Sequence, residues 1–277
     1  MRARARAVGA LLALISVIGA CGGDPAPKRL GALLRAGQVL VVGEIHGTKE
    51  IPAAVTDAIE DATERNLSVH LGLEIPSDET EAFARYIKSA GNDRDRGALL
   101  RSAFWGTTDG RSSRAMLDLI DDVRALRADG RSIELMLFDV PRDFRMEKDE
   151  PDGRDAVMSL FISDTVDEHP DDAFIVLVGS FHAGRAVASV EGKEFEPMVR
   201  WLAEQAPYVT TLRATHAGGT AWTCTGDPID CGTHPQQATG SSEERPPSIL
   251  LKNTDAGFDG RLFVGKITAS RPARSKS

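Results

Sequence analysis

Imidazoles and carboxylates occur in this chain where a core-forming sequence has no structural need for them. Glu44 and His46 follow an apolar run in "QVLVVGEIHG", Glu74 closes "LGLEIP", Asp139 closes "LFDVP", and His182 lies in "VGSFHAG". An imidazole beside a carboxylate is the usual equipment for moving protons at neutral pH, because the carboxylate fixes one ring nitrogen and frees the other for chemistry. His46 or His182 is then the candidate base toward water, with Glu44 and Glu74 orienting it. The same four side chains, Glu44, His46, Glu74 and His182, are also a workable ligand set for Mn²⁺, Zn²⁺ or Co²⁺. Each residue has a plainer use. Glu44 could favour a following helix by its charge, His46 could sit in a loop, Glu74 could pair with an arginine, and Asp139 could hold the turn before Pro141. Together they argue otherwise, since several ionisable groups placed after apolar strands are costly unless they pair, bind metal or react. Ser180 lies near His182 but in no Gly-x-Ser-x-Gly turn, which argues against a serine nucleophile.

The elements that must position these residues alternate between apolar runs and helical periodicity. "QVLVVGE", "SVHLGLEIP", "SIELMLFDVP" and "DAFIVLVGSFHAG" read as four strands buried on both sides. Residues 50–66 place Ile51, Val55 and Ile59 on one helical face. A helix capped by Ser77 and ended by Gly91 follows, then one over about 94–104. Residues 112–129 form a helix with Met116, Leu117, Ile120, Val123 and Leu126 on one side. "GRDAVMSLFISDTVDEHP" reads as a helix stopped by Pro170, followed after the fourth strand by a helix at 194–206 and a strand at 208–214. Residues 232–248 read as loop, "RLFVGKITA" as a last strand and "SRPARSKS" as a disordered basic tail. This order implies a single α/β domain with a mostly parallel sheet and helices on both faces. Right-handed crossovers bring the strand C-termini, and with them the ionisable residues, to one edge.

The chain has 277 residues, 42% of them hydrophobic, and a net charge of −8. Nothing in that balance suggests nucleic acid, which asks for a basic stripe. Arg2, Arg4 and Arg6 precede the short apolar run "AVGALLALISVIGA", which ends at Cys21. That pattern is similar to a bacterial lipoprotein signal, so residues 1–20 are expected to be removed, Cys21 acylated, and residues 21–35 to act as a tether. The domain then covers 36–268 and the tail 269–277. The expected location is the outer membrane, facing the periplasm. Cys224 and Cys231 enclose the turn-rich "TGDPID" and are expected to form a disulfide in an oxidising compartment.

The segments "VGEIHG", "LGLEIP" and "VGSFHAG" resemble signature segments of the erythromycin esterase/ChaN-like superfamily, which includes the Tiki proteases. The resemblance continues through "FWGTTDGRSSRAMLDLIDDVRAL", "LMLFDVPRD" and "GRDAVMSLFISDTVDEHP", and covers about residues 36–225. It implies a compact α/β domain with the site at the sheet edge. Its members divide on chemistry: the esterases activate water against a lactone with histidine and glutamates and no essential metal, the Tiki members are metal-dependent peptidases using the Gly-x-x-His histidines, and ChaN is a haem-binding lipoprotein using a tyrosine. The only tyrosines here, Tyr86 and Tyr208, sit in no matching motif.

The leading expectation is a lipid-anchored hydrolase of an ester or peptide bond. Its partners would be a small-molecule or peptide substrate and the membrane. Arg114, in "SSRAM", is a candidate to balance the carboxylates or stabilise an oxyanion, with an ordinary surface arginine at a helix start as its plainer use. Arg154 and Asp155 match a family segment without an assigned role. A haem-binding iron-uptake lipoprotein is the alternative, and a degenerate structural member the third reading. Trp105, Trp201 and Trp222 are expected in packing roles, His70 in the core, and His169, His216 and His234 in solvated loops.

Overall fold

The computed structural model describes residues 29–145, 153–190, 192–206, 208–240, 246–254 and 256–274. The expected signal peptide and Cys21 lie outside the described residues, as do most of the tether and the last three residues of the tail. No described helix is long and apolar enough to cross a membrane.

The four apolar runs become strands β1 (Val39–Glu44), β2 (Val69–Pro76), β3 (Ile133–Asp139) and β4 (Ala173–Gly179). With β7 (Val209–Thr215), β10 (Ser248–Leu251) and β11 (Gly260–Phe263) they form a seven-stranded sheet in the order β10-β11-β7-β1-β4-β2-β3. Every pairing is parallel except that of β10 with β11. Alternate side chains of each central strand feed two cores. Leu40, Val42, Leu71, Leu73, Ile175 and Leu177 face one side. Val39, Val41, Phe174, Val176 and Val178 face the other. Complete burial of such side chains is worth about 1.5–3 kcal/mol each, which is why the runs show no polar alternation.

Helices α1 (Glu50–Glu64), α2 (Thr80–Ile87) and α4 (Arg114–Ala128) cover the first face. Helices α5 (Gly153–Glu168) and α6 (Met198–Gln205) cover the second. The expected helix at 94–104 divides into α3 (Asp93–Leu99) and a short 3-10 turn at Ala103–Gly106. Ser77 does not cap α2 but begins a 3-10 turn, with the Thr80 hydroxyl donating to the Ser77 carbonyl at 2.7 Å. The expected helix at 194–206 begins only at Met198. Residues just before it form β6 (Lys193–Phe195), paired with β5 (Ala188–Val190).

Two other expectations are corrected near the C-terminus. The stretch read as loop holds most of β9 (Asp230–Gln236), which pairs antiparallel with β8 (Gly219–Thr225). Their main-chain ladder, not an apolar face, sustains this hairpin, so hydropathy did not reveal it. Cys224 and Cys231 face each other across it and are joined by a disulfide. The tail is not disordered over its described part. Ser270 is buried, its N–H donates to Gly47 O at 2.8 Å, and its Oγ accepts from Ala115 N at 2.8 Å. Arg271 O accepts from Arg114 N at 2.8 Å. The tail therefore satisfies two amides of the first turn of α4 that no carbonyl within the helix can reach.

Candidate active site

β1, β4, β2 and β3 are adjacent in that order, so their C-terminal ends deliver Glu44, the Gly179–His182 turn, Glu74 and Asp139 to neighbouring positions. They border a cleft of about 1000 Å³. The Gly179 backbone shows how tightly the two imidazoles are gathered. A Cβ there would lie 3.0 Å from His46 Nε2, 3.4 Å from Glu74 Oε2 and 3.7 Å from the His182 ring. Gly47, after His46, has φ of 73° and passes so near Trp222 of the hairpin that a Cβ would be 2.2 Å from its carbonyl oxygen.

His46 is held between two carboxylates. Nδ1 is 2.9 Å from Glu44 Oε1, and Nε2 is 3.3 Å from Glu74 Oε2. Burial disfavours the imidazolium, but the charge of Glu74 and the hydrogen bonds to Glu44 and Glu74 outweigh it and raise the His46 pKa to about 10. His46 is therefore a proton donor at neutral pH. Burial would raise the pKa of Glu74, yet the cations around it, His46 first and Arg154 among them, hold it well below the usual carboxylate range.

His182 is built differently. Its Nδ1 is 2.7 Å from Asp155 Oδ1, and its Nε2 is 3.0 Å from Arg154 Nη1. A guanidinium can only donate, so Nε2 must present a lone pair, and Nδ1 carries the proton shared with Asp155. Asp155 is fixed in turn by accepting the Met198 amide at 2.7 Å, at the start of α6. The result is an imidazole fixed on both sides, by Asp155 and by Arg154, at the wall of the cleft.

Two arginines join the network. Arg154, on the first turn of α5, places Nε at 2.9 Å and Nη2 at 3.0 Å from the two oxygens of Asp139, and Nη2 at 2.8 Å from Glu74 Oε1. Arg111 places Nη1 at 2.9 Å from Asp139 Oδ2 and pairs its other nitrogens with Asp109 Oδ2 at 3.0 and 2.7 Å. Asp139 also accepts the Val140 amide at 2.8 Å, so it serves the turn and the site at once. Phe181, Val187 and Phe258 supply apolar wall.

Glu44, His46, Glu74, Asp139 and His182 thus come together, and Arg114 does not. Arg114 points outward, pairs with Asp118 at 2.9 Å and lines a separate groove. The reason is local: Ser113 caps α4 by accepting from Met116 N, which turns the next residue to the surface. Arg111 and Arg154 hold the positions expected of it. The set proposed as metal ligands is also spoken for. Both nitrogens of His46 face carboxylates, Glu74 is paired with Arg154, and His182 Nε2 faces the same guanidinium. A dication there would have to displace fixed cations, so these donors do not fit a metal. Tyr86 is buried with its hydroxyl donating to Asp121, and Tyr208 is exposed; neither lines the cleft. His70 is buried as expected, but so is His216, corrected from a solvated loop; burial, with Arg213 nearby, lowers its pKa.

No family model matches the chain, and no curated protein matches it. Solved structures do. The erythromycin esterase EreC, as a histidine-to-asparagine mutant in its open conformation, aligns with TM-score 0.61 at 14% identity over 84% of this chain and 91% of that one. A protein from Bacillus cereus aligns with TM-score 0.54 at 9% identity over 86% and 91%. At such identities the likeness speaks for the fold alone, the mostly parallel α/β arrangement expected from the sequence.

Proposed function

We propose that this chain is a hydrolase that activates water against an ester bond, with His182 as base and His46 as acid. The observation that carries the reading is the unlike setting of two imidazoles in one cleft: His182 anchored by Asp155 with its Nε2 lone pair turned to Arg154, His46 held as a cation between Glu44 and Glu74. Pairs of titratable groups held in opposite states are what acid–base catalysis requires. In the reaction, Arg154 Nη1 turns from His182 Nε2 to the substrate carbonyl oxygen, and the released Nε2 takes a proton as water oxygen bonds to the carbonyl carbon. The carbonyl becomes an oxyanion, which Arg154 and Arg111 are placed to stabilise. As the oxyanion reforms the carbonyl, the bond to the leaving alkoxide breaks and His46 protonates it. Proton return from His182 to His46 through solvent resets the site.

The fold shared with an erythromycin esterase structure favours an ester over a peptide. The test is turnover on a panel of aryl esters, lactones and peptides by the wild type and by His182→Asn. We expect ester hydrolysis that falls about 10²- to 10⁴-fold in the variant. Unchanged turnover would remove His182 from the mechanism, and cleavage of peptides alone would reassign the substrate.

We further propose that the chain is exported and anchored through acylated Cys21, at the outer membrane. The Cys224–Cys231 disulfide supports an oxidising compartment. Membrane fractionation tests this; a fully soluble mature form would overturn it.

A further inference from the structure

At the edge of the sheet opposite the cleft, three side chains from three segments converge. His70 is the second residue of β2, His169 directly follows α5, and Asp172 directly precedes β4. Their ligand atoms all lie within 4.8 Å of one another. His70 Nε2 is 2.9 Å from Asp172 Oδ2, and His169 Nδ1 is 3.8 Å from the same oxygen. Neighbouring ligand atoms around a tetrahedral zinc stand about 3.3 Å apart, given bonds near 2.0 Å, so these two separations bracket what an ion needs.

Two of the three donors are already fixed. The His70 ring is buried and lies flat on Phe174, with centroids 4.8 Å apart and planes at 19°. The Asp172 backbone is pinned, its N–H donating to His169 O at 3.1 Å and its carbonyl accepting from Gly37 N at 2.8 Å. His169 is the adjustable member, with a side chain 46% exposed and open to solvent. Among the described residues, the ion-pair partners of Asp172 are these two imidazoles, and no lysine or arginine is paired with it. A carboxylate with two imidazoles and no fixed cation lacks the charge that a metal would bring.

We propose that His70, His169 and Asp172 bind one divalent transition metal of the zinc class, with water completing the coordination. Two imidazoles and a carboxylate suit Zn²⁺, Co²⁺ or Ni²⁺ far better than Ca²⁺ or Mg²⁺. The role is structural. The ion ties the end of α5 to β2 and β4, and the other end of the same helix presents Arg154 and Asp155 to the cleft.

The test is calorimetric titration of the chelator-treated mature chain with ZnCl₂, paired with thermal melts. We expect one equivalent to bind and the melting temperature to rise by roughly 5–10 °C at a hundredfold excess over the dissociation constant. His169→Ala, at an exposed position that folding does not need, should weaken binding at least tenfold, as should Asp172→Asn. His182→Asn should leave the stoichiometry and affinity unchanged. Wild-type affinity in His169→Ala, loss of binding in His182→Asn instead, or no binding below millimolar zinc would each overturn the proposal.

Discussion

β2 carries the same pair of chemical groups at both ends, in different company. At its C-terminal end Glu74 meets His46 at 3.3 Å; near its start His70 meets Asp172 at 2.9 Å. The two ends are four residues, or roughly 13 Å, apart. At the first, two guanidiniums share the carboxylates with His46, and one of them also faces His182. At the second, among the described residues, no arginine is paired with Asp172, and the group suits the metal site proposed above. Fixed cations, more than the histidine–carboxylate pair itself, decide which chemistry such a pair can do.

Removing the fixed cation should break the contrast most severely. Arg154→Ala leaves Asp139 to Arg111 and Glu74 to His46 and frees His182 Nε2, at a cost of about 1–3 kcal/mol, the usual penalty for removing one partner of a buried charged hydrogen bond. Urea unfolding measures it. Arg154→Lys should recover little, since an ammonium cannot bridge both oxygens of Asp139 while also reaching Glu74. A loss below 1 kcal/mol would show the guanidinium to be dispensable.

The disulfide borders the cleft through Cys224 but is no part of the His70 group, so it serves as a control for zinc binding. Closing so short a loop is worth roughly 2 kcal/mol by chain entropy. Cys224→Ser with Cys231→Ser should therefore lower stability by about that much while leaving zinc binding intact.

Acidity separates the two ends more gently. His46 titrates near 10 in the folded chain against 6.5 unfolded, so its contribution is complete below pH 6.5 and is lost as pH rises toward 10. Glu74 is lowered from 4.5, so its contribution is present above pH 4.5 and is lost as pH falls. Stability should therefore peak between about pH 4.5 and 6.5 on account of this pair. His46→Gln should flatten the alkaline slope, and an unchanged slope would place its origin elsewhere. The smallest effect is expected from His169→Ala, whose turnover should match the wild type within about twofold, because the residue lies beyond the far end of α5.

The central strands were legible because burial on both sides leaves unbroken apolar runs, and a residue that ends such a run falls at the sheet edge. That logic found Glu44, Glu74, Asp139 and His182. Arg111 and Arg154 end no strand, and nothing in hydropathy marks them. Charge balance could have: several carboxylates gathered at one edge require cations. The start of α5, running back from the cleft, was the place to seek one. Arg114 is the surface arginine of its plainer reading, because the Ser113 cap sets the helix phase. The β8–β9 hairpin escaped notice because its faces are mixed and its cohesion lies in the main chain.

The tail contacts bear on how the gene is trimmed. A boundary at residue 268, natural on composition, would remove the Ser270 amide that holds the Gly47 carbonyl and the hydroxyl that receives the Ala115 amide. Gly47 adjoins His46, so a clipped protein would express as a folded body with a slack reactive corner.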